Sequence, residues 1–154
     1  LKLNVQREIL IENRTLVSQQ EITKFENAIQ DIINLNELSS IKFLCSGFYD
    51  ETDYDEVMFN LIHAIESFDQ KYKLEVTLKE LAVSIPVMLP HAREWAKVLH
   101  KRILNHPPSL VVYIQIVKNL DVMNRNVIIS LVTEIKNKNH AKFAEAVDQL
   151  LSAI

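Results

Sequence analysis

Glycine is almost absent: Gly47 is the only one in 154 residues. Phosphate-cradling loops, dinucleotide fingerprints and nucleophile elbows each need several, because their backbone must approach a ligand closely or take positive φ. Two-residue hairpins favour Asn-Gly or Asp-Gly, and neither dipeptide occurs. One count therefore argues against nucleotide-binding α/β folds, α/β-hydrolases and most antiparallel β folds together. Cysteine is as scarce. Cys45 stands alone, which excludes an intramolecular disulfide and any Cys-x-x-Cys zinc or redox motif, and suits a reducing cytoplasm. The opening stretch holds no apolar run of signal-peptide type, and no run approaches bilayer-spanning length. A cytoplasmic location without a membrane partner is expected. The formal charge of −3 gives no global pull toward nucleic acid.

What remains is apolar and periodic. With 48% apolar and 24% charged residues the chain has a globular composition, and its length suits one domain over 1–154. "EITKFENAIQDII" places Ile22, Phe25, Ile29, Ile32 and Ile33 on one stripe, which predicts an amphipathic helix over about 20–35. A short helix over about 37–46 is expected to end at Gly47 in the left-handed cap conformation. Asp53, three residues before Glu56, has the spacing of a helix N-cap, and Val57, Leu61, Ala64, Ile65 and Phe68 continue at helical spacing. Leu74, Leu78, Leu81, Ile85 and Met88 stripe the next helix, kinked by Pro86 and broken by Pro90.

Ala92, Trp95, Ala96, Leu99 and Ile103 form another stripe, and Pro107 or Pro108 suits the first turn of its successor. Two more stripes, Val127 to Ile135 and Phe143 to Leu151, complete the chain. The first nineteen residues fit either a helix or an extended arm. Helix starts near 53, 91 and 124 lie about 33–38 residues apart, the spacing of stacked helical hairpins. The expected fold is all-α: a single domain of about seven to eight helices, either a HEAT- or armadillo-like irregular solenoid or a compact bundle.

Charge is unevenly spread. Between Phe43 and Gln70 there is no Lys or Arg, while Asp50, Glu51, Asp53, Asp55, Glu56, Glu66 and Asp69 accumulate. Helix physics explains part of this, since acids in a first turn gain about 0.3–1 kcal/mol each from the macrodipole. His63 and Glu66, three apart, suggest a metal pair, but helical carboxylate sites use Glu-x-x-His from two helices, and no second pair exists. An acid/base carboxylate site needs two acids held across a cleft, one with a raised pKa, which a hydrophilic run does not provide. Cys45 beside Leu44 reads as a packing residue rather than a nucleophile. Neither catalysis nor a cofactor is expected.

From His91 to His106 the balance reverses: Arg93, Lys97, Lys101 and Arg102 face a single acid, Glu94. Positions 93, 97 and 101 share a helix face, which would suit phosphate, although a solvated face explains them as well. Trp95 fits the apolar stripe as a core residue. A one-signed acidic surface is harder to dismiss, because self-repulsion is unfavourable and such fields speed encounter with a cationic partner.

"FYDETDYDEVMFNLIHAIESFD" resembles the signature segment of immunity protein thirty, a family of bacterial polymorphic-toxin immunity proteins. The shared features are an acidic turn, Glu-Val-Met, an aromatic residue and a Leu-Ile-His step. Glu66 lies three residues after His63, where the family places its Glu two after. "REWAKVLHKRILN" is similar to a second block of the family, through Trp95, Leu99, Arg102, Ile103, Leu104 and Asn105.

This resemblance implies a non-enzymatic inhibitor that binds the C-terminal domain of a cognate toxin and occludes its active or substrate site. The toxin would be a nuclease delivered by contact-dependent growth inhibition or a related system. The expected contact residues are Tyr49, Asp50, Glu51, Asp53, Tyr54, Asp55 and Glu56. Met58, His63, Glu66, Trp95, Arg102 and Asn105 are expected to be structural, with His63 and Glu66 in packing and buried hydrogen bonds. The alternative is a helical-repeat adaptor with a non-toxin partner. A helical hydrolase using the acid cluster with a divalent ion is a more distant third.

Overall fold

The computed structural model describes residues 2–154. Its nine α-helices are α1 (Lys2–Asn13), α2 (Gln19–Leu35), α3 (Ser40–Cys45), α4 (Asp55–Ser67), α5 (Leu74–Ser84), α6 (Arg93–Leu104), α7 (Pro107–Lys118), α8 (Val122–Lys138) and α9 (His140–Ala153). Short 3-10 turns follow α4 (Phe68–Gln70) and α5 (Ile85–Met88). The helix beyond the expected seven to eight is α1, which settles the ambiguous N-terminal stretch. The turn after α5 begins one residue before Pro86, where the proline ring cannot continue an α-helical hydrogen-bond ladder.

Local chemistry sets several helix starts. Ser18 Oγ accepts from Glu21 N at 3.2 Å to open α2, and Asp121 Oδ2 accepts from Asn124 N at 3.3 Å to open α8. Pro107 occupies the first position of α7, where its missing N–H matters little, and His106 Nδ1 accepts from Ser109 N. α2 ends at Asn36, which takes φ 53° and donates its N–H to Ile33 O.

Gly47 behaves differently from the expectation. It is not in the left-handed region, which is used instead by Leu16 and Asn36. A Cβ at Gly47 would stand 3.2 Å from Leu61 Cδ1, 3.2 Å from Phe25 Cζ and 3.3 Å from Leu44 O. Glycine is there because α2 and α4 press on the end of α3, not because φ demands it.

The packing pattern separates a solenoid from a bundle. Most packing is between chain neighbours or the next but one, α1 on α2 and α3, α2 on α4, α3 on α5, α5 on α7, α6 on α8 and α7 on α9, with smaller contacts of α5 on α8 and α6 on α9. Odd and even helices thus form two stacked layers, with a continuous apolar core from Leu10 to Leu150 between them. The loops before α2, α4 and α6 lie along one edge. Arg14 Nη1 donates to Ser46 O at 3.1 Å and Asp50 N donates to His91 O at 3.0 Å, which ties those three loops together. No described helix is long and apolar enough to cross a membrane.

Candidate partner-binding surface

The acidic segment of the loop before α4 is anchored from both sides. Phe48 is fully buried and stacks on Trp95 with ring centroids 6.0 Å apart, which fixes where the loop leaves α3. Tyr49 is half-buried beneath the Arg14 guanidinium, 5.4 Å from its ring centre. Next in line, the Asp50 carboxylate accepts from Glu94 N at 3.0 Å and from Trp95 N at 3.3 Å. It is the N-terminal cap of α6, delivered from more than forty residues away in the chain. α6 needs one, because its own N-cap position holds Ala92, which has no side-chain acceptor.

Two expectations change here. The carboxylate of Asp50 is satisfied inside the fold, and the Tyr49 ring is covered on one face. Asp53 does not cap α4: the N-cap position is Tyr54, with no side-chain bond to the helix, and the Val57 and Met58 N–H groups go to Tyr54 O. Buried Thr52 makes the local turn by accepting from Tyr54 N at 3.3 Å, which leaves Asp53 pointing to solvent. The outcome is a braced loop presenting Glu51, Asp53, Asp55 and Glu56 as exposed acids around Tyr54, itself 41% exposed.

The residues expected to be structural divide. Met58 is fully buried and Trp95 nearly so, with Phe59 edge-on to the indole at 5.2 Å. His63 is exposed on α4 with Phe59 beside it, and joins no buried network. Glu66 is half-exposed and receives both Arg102 Nε and Arg102 Nη2 at 2.7 Å, a bidentate pair from α4 to α6. That pair holds the Arg102 guanidinium above its usual pKa range. With both oxygens engaged by Arg102, Glu66 is not poised as a metal ligand, and among the described residues no three His, Cys, Asp or Glu side chains converge on a metal-sized site. Asn105 is exposed at the C-cap of α6.

The basic stripe of α6 is not a free phosphate surface, nor a fully solvated face. Arg93 donates to Ser130 Oγ at 2.9 Å and pairs with Glu134, while Lys97 reaches Glu134 at 3.0 Å and Glu94 at 2.9 Å. The stripe fastens α6 to α8.

A groove of about 670 Å³ lies between α4 and α6. These helices are neighbours in the even layer but do not pack closely. Long side chains prop them apart, Phe59 against Trp95 toward one end and Glu66 against Arg102 at the other. Ile65, Leu78, Leu99 and Ile103 floor the groove, and Asp69 and Asn105 stand at its rim. Partial burial raises the Asp69 carboxyl above the ordinary range, opposed by the hydrogen bond it accepts from Thr77 Oγ1.

Deeper in, between α6 and α7, His100 and Tyr113 are fully buried. His100 Nδ1 lies 2.7 Å from Ala96 O, a pure acceptor, so Nδ1 carries the proton and Nε2 accepts from Tyr113 Oη at 2.7 Å. Burial lowers the His100 pKa to about 4, against the raising influence of Ala96 O. Burial pushes the Cys45 thiol up to about 12, with Glu80 adding to the rise, which leaves it unreactive.

Sequence reasoning missed the Asp50 cap, the Glu66–Arg102 pair and the groove. Only the first left a trace, in the absence of any Ser, Thr, Asp or Asn directly before α6.

The Immunity protein 30 family model matches residues 12–113, from the end of α1 into α7. The match takes in the acidic loop, the groove and the α6 cap, and leaves α8 and α9 outside. No curated protein and no solved structure matches the chain.

Proposed function

The chain belongs to the Immunity protein 30 family, and from that premise we propose that it neutralises one cognate toxin by covering the toxic domain, without bond-making chemistry of its own. The partner is the C-terminal toxic domain of a polymorphic toxin, delivered by contact-dependent growth inhibition or a related route and met in the cytoplasm. A nuclease suits the surface, because the substrate cleft of a nuclease is cationic and Glu51, Asp53, Asp55 and Glu56 offer it carboxylates in place of phosphates.

The observation that supports this most is the bracing of the acidic loop. Phe48, Asp50 and Thr52 hold it in one shape, so little conformational entropy is lost when its exposed acids meet a partner. Long-range attraction then raises the association rate, and Tyr54 contributes apolar area once contact is made. The whole of 1–154 acts as one unit in this reading, since Arg93 and Lys97 lock α8 onto the matched region.

Co-expression with the toxin encoded beside its gene is the direct test. Growth should be restored by the wild-type protein. Continued killing with the protein visibly present and folded would contradict the proposal, and would favour an adaptor role with a different partner.

A further inference from the structure

We infer that the α4–α6 groove seats an apolar anchor of the toxin domain, carried on a cationic segment that lies along the exposed face of α4. The inference rests on the proposed immunity role and adds the site and the chemistry of the contact.

The groove is a gap in the layer rather than a packing flaw within the core. Glu66–Arg102 joins its two walls, while α5 supplies an apolar floor through Leu74, Leu78 and Leu81. Its volume of about 670 Å³ falls in the range of pockets that bury a ligand-sized group. The groove is lined mainly by apolar side chains, of which half-buried Leu74 is the most open, and such a concavity favours an apolar occupant. The Asn105 side-chain amide, at the rim, makes no hydrogen bond among the described residues, and could pair with the backbone of an incoming segment.

Charge identifies the carrier of that anchor. α4 begins with exposed Asp55 and Glu56, and Asp69 stands at the groove just beyond its end. Glu26 of α2 joins this face through its hydrogen bond from Asn60 Nδ2 at 3.2 Å. No Lys or Arg interrupts the chain from Phe43 to Gln70, and Arg102 across the groove is neutralised by Glu66. Thirteen helical residues span about 20 Å, enough for a short basic helix or strand to run from the acidic loop to the groove. In this arrangement the acids set the rate of encounter, and the anchored side chain sets the rate of escape.

Thiol protection tests the placement, because buried Cys45 gives no background labelling. Single variants Asn105→Cys and Ser109→Cys report on the groove, and Val111→Cys on the outer surface of α7 serves as control. Each is purified alone and with the toxin domain encoded beside the gene, then exposed to a maleimide. The expected result is at least about tenfold slower labelling of both groove thiols in the complex, with Val111→Cys unchanged. If the complex forms and both groove thiols react at their free rates, the groove assignment is overturned while the immunity role stands. If wild-type protein forms no complex, both fall.

A kinetic arm reads the two parts separately. Asn105→Trp should speed dissociation about tenfold with little change in association, and Glu56→Lys should do the reverse. Unchanged dissociation of Asn105→Trp would also overturn the assignment.

Discussion

Replacing Asp50 by alanine should destabilise the fold, although the residue sits in a surface loop of the kind that usually tolerates change. Its two oxygens accept from the first N–H groups of α6, at 3.0 and 3.3 Å, and Ala92 offers no substitute acceptor. Loss of a helix cap costs about 0.5–2 kcal/mol, and hydrogen bonds to a charged group lie at the upper end of their range. The Asp50 N–H to His91 O bond survives the substitution, so the expected loss is about 2 kcal/mol rather than more. For a chain of this size that lowers Tm by roughly 4–8 °C.

Urea unfolding is the assay, with the midpoint falling and the slope m unchanged. Asp50→Asn, which keeps one acceptor oxygen, should lose about half as much. Asp53→Ala is the decisive control, since Asp53 has the spacing of a cap but faces solvent, and should shift stability by less than about 0.5 kcal/mol. Equal losses at positions 50 and 53, or none at 50, would refute the assignment of the cap.

Three further outcomes follow from the same geometry. With its folded pKa lowered to about 4, His100 favours the folded state fully above pH 6.5, and that contribution is lost as pH falls toward 4. The total is roughly 3 kcal/mol, and urea midpoints of His100→Gln should show a flatter pH dependence between 7 and 4 than wild type; an unchanged slope would exclude His100 as its source. Gly47→Ala should cost about 1–3 kcal/mol, because its Cβ meets Phe25 and Leu61 at 3.2 Å, and an unaltered melting temperature would show that those side chains yield freely. Reversing Asp53, Asp55 and Glu56 to Lys should slow association with the toxin domain and flatten its salt dependence, measured by stopped-flow at two ionic strengths; an unchanged salt slope would remove the acidic loop from the contact.

The helices were legible because each carries its own apolar stripe. Ile22 to Ile33 and Trp95 to Ile103 predict α2 and α6 without reference to any neighbour. The expected spacing of helix starts, about 33–38 residues, holds from α4 to α6 at 38, whereas α8 begins only 29 residues after α6. α1 was ambiguous because its apolar residues do not fall on one side of a helix, and burial there depends on α2 and α3.

Long-range placement could not be read from local spacing. Asp53 fits the spacing of a cap and does not act as one, while Asp50 caps a helix to which it has no local relation. Gly47 invites a conformational explanation and has a steric one. Glu66 and Arg102, thirty-six residues apart, meet only because α4 and α6 are neighbours in one layer. The acidic loop is visible as composition, but its division into braced and exposed residues depends on contacts from Arg14, in the loop before α2, and from α6.

The account's central claim is that this protein acts by stoichiometric coverage of one toxin domain. Titrating it into a fixed amount of the toxin domain encoded beside its gene, with toxic activity as readout, tests that claim most directly. The predicted result is a linear fall in activity that ends at one equivalent and reverses when the complex is dissociated. Full activity at excess protein, or lasting inactivation by far less than one equivalent, would contradict it.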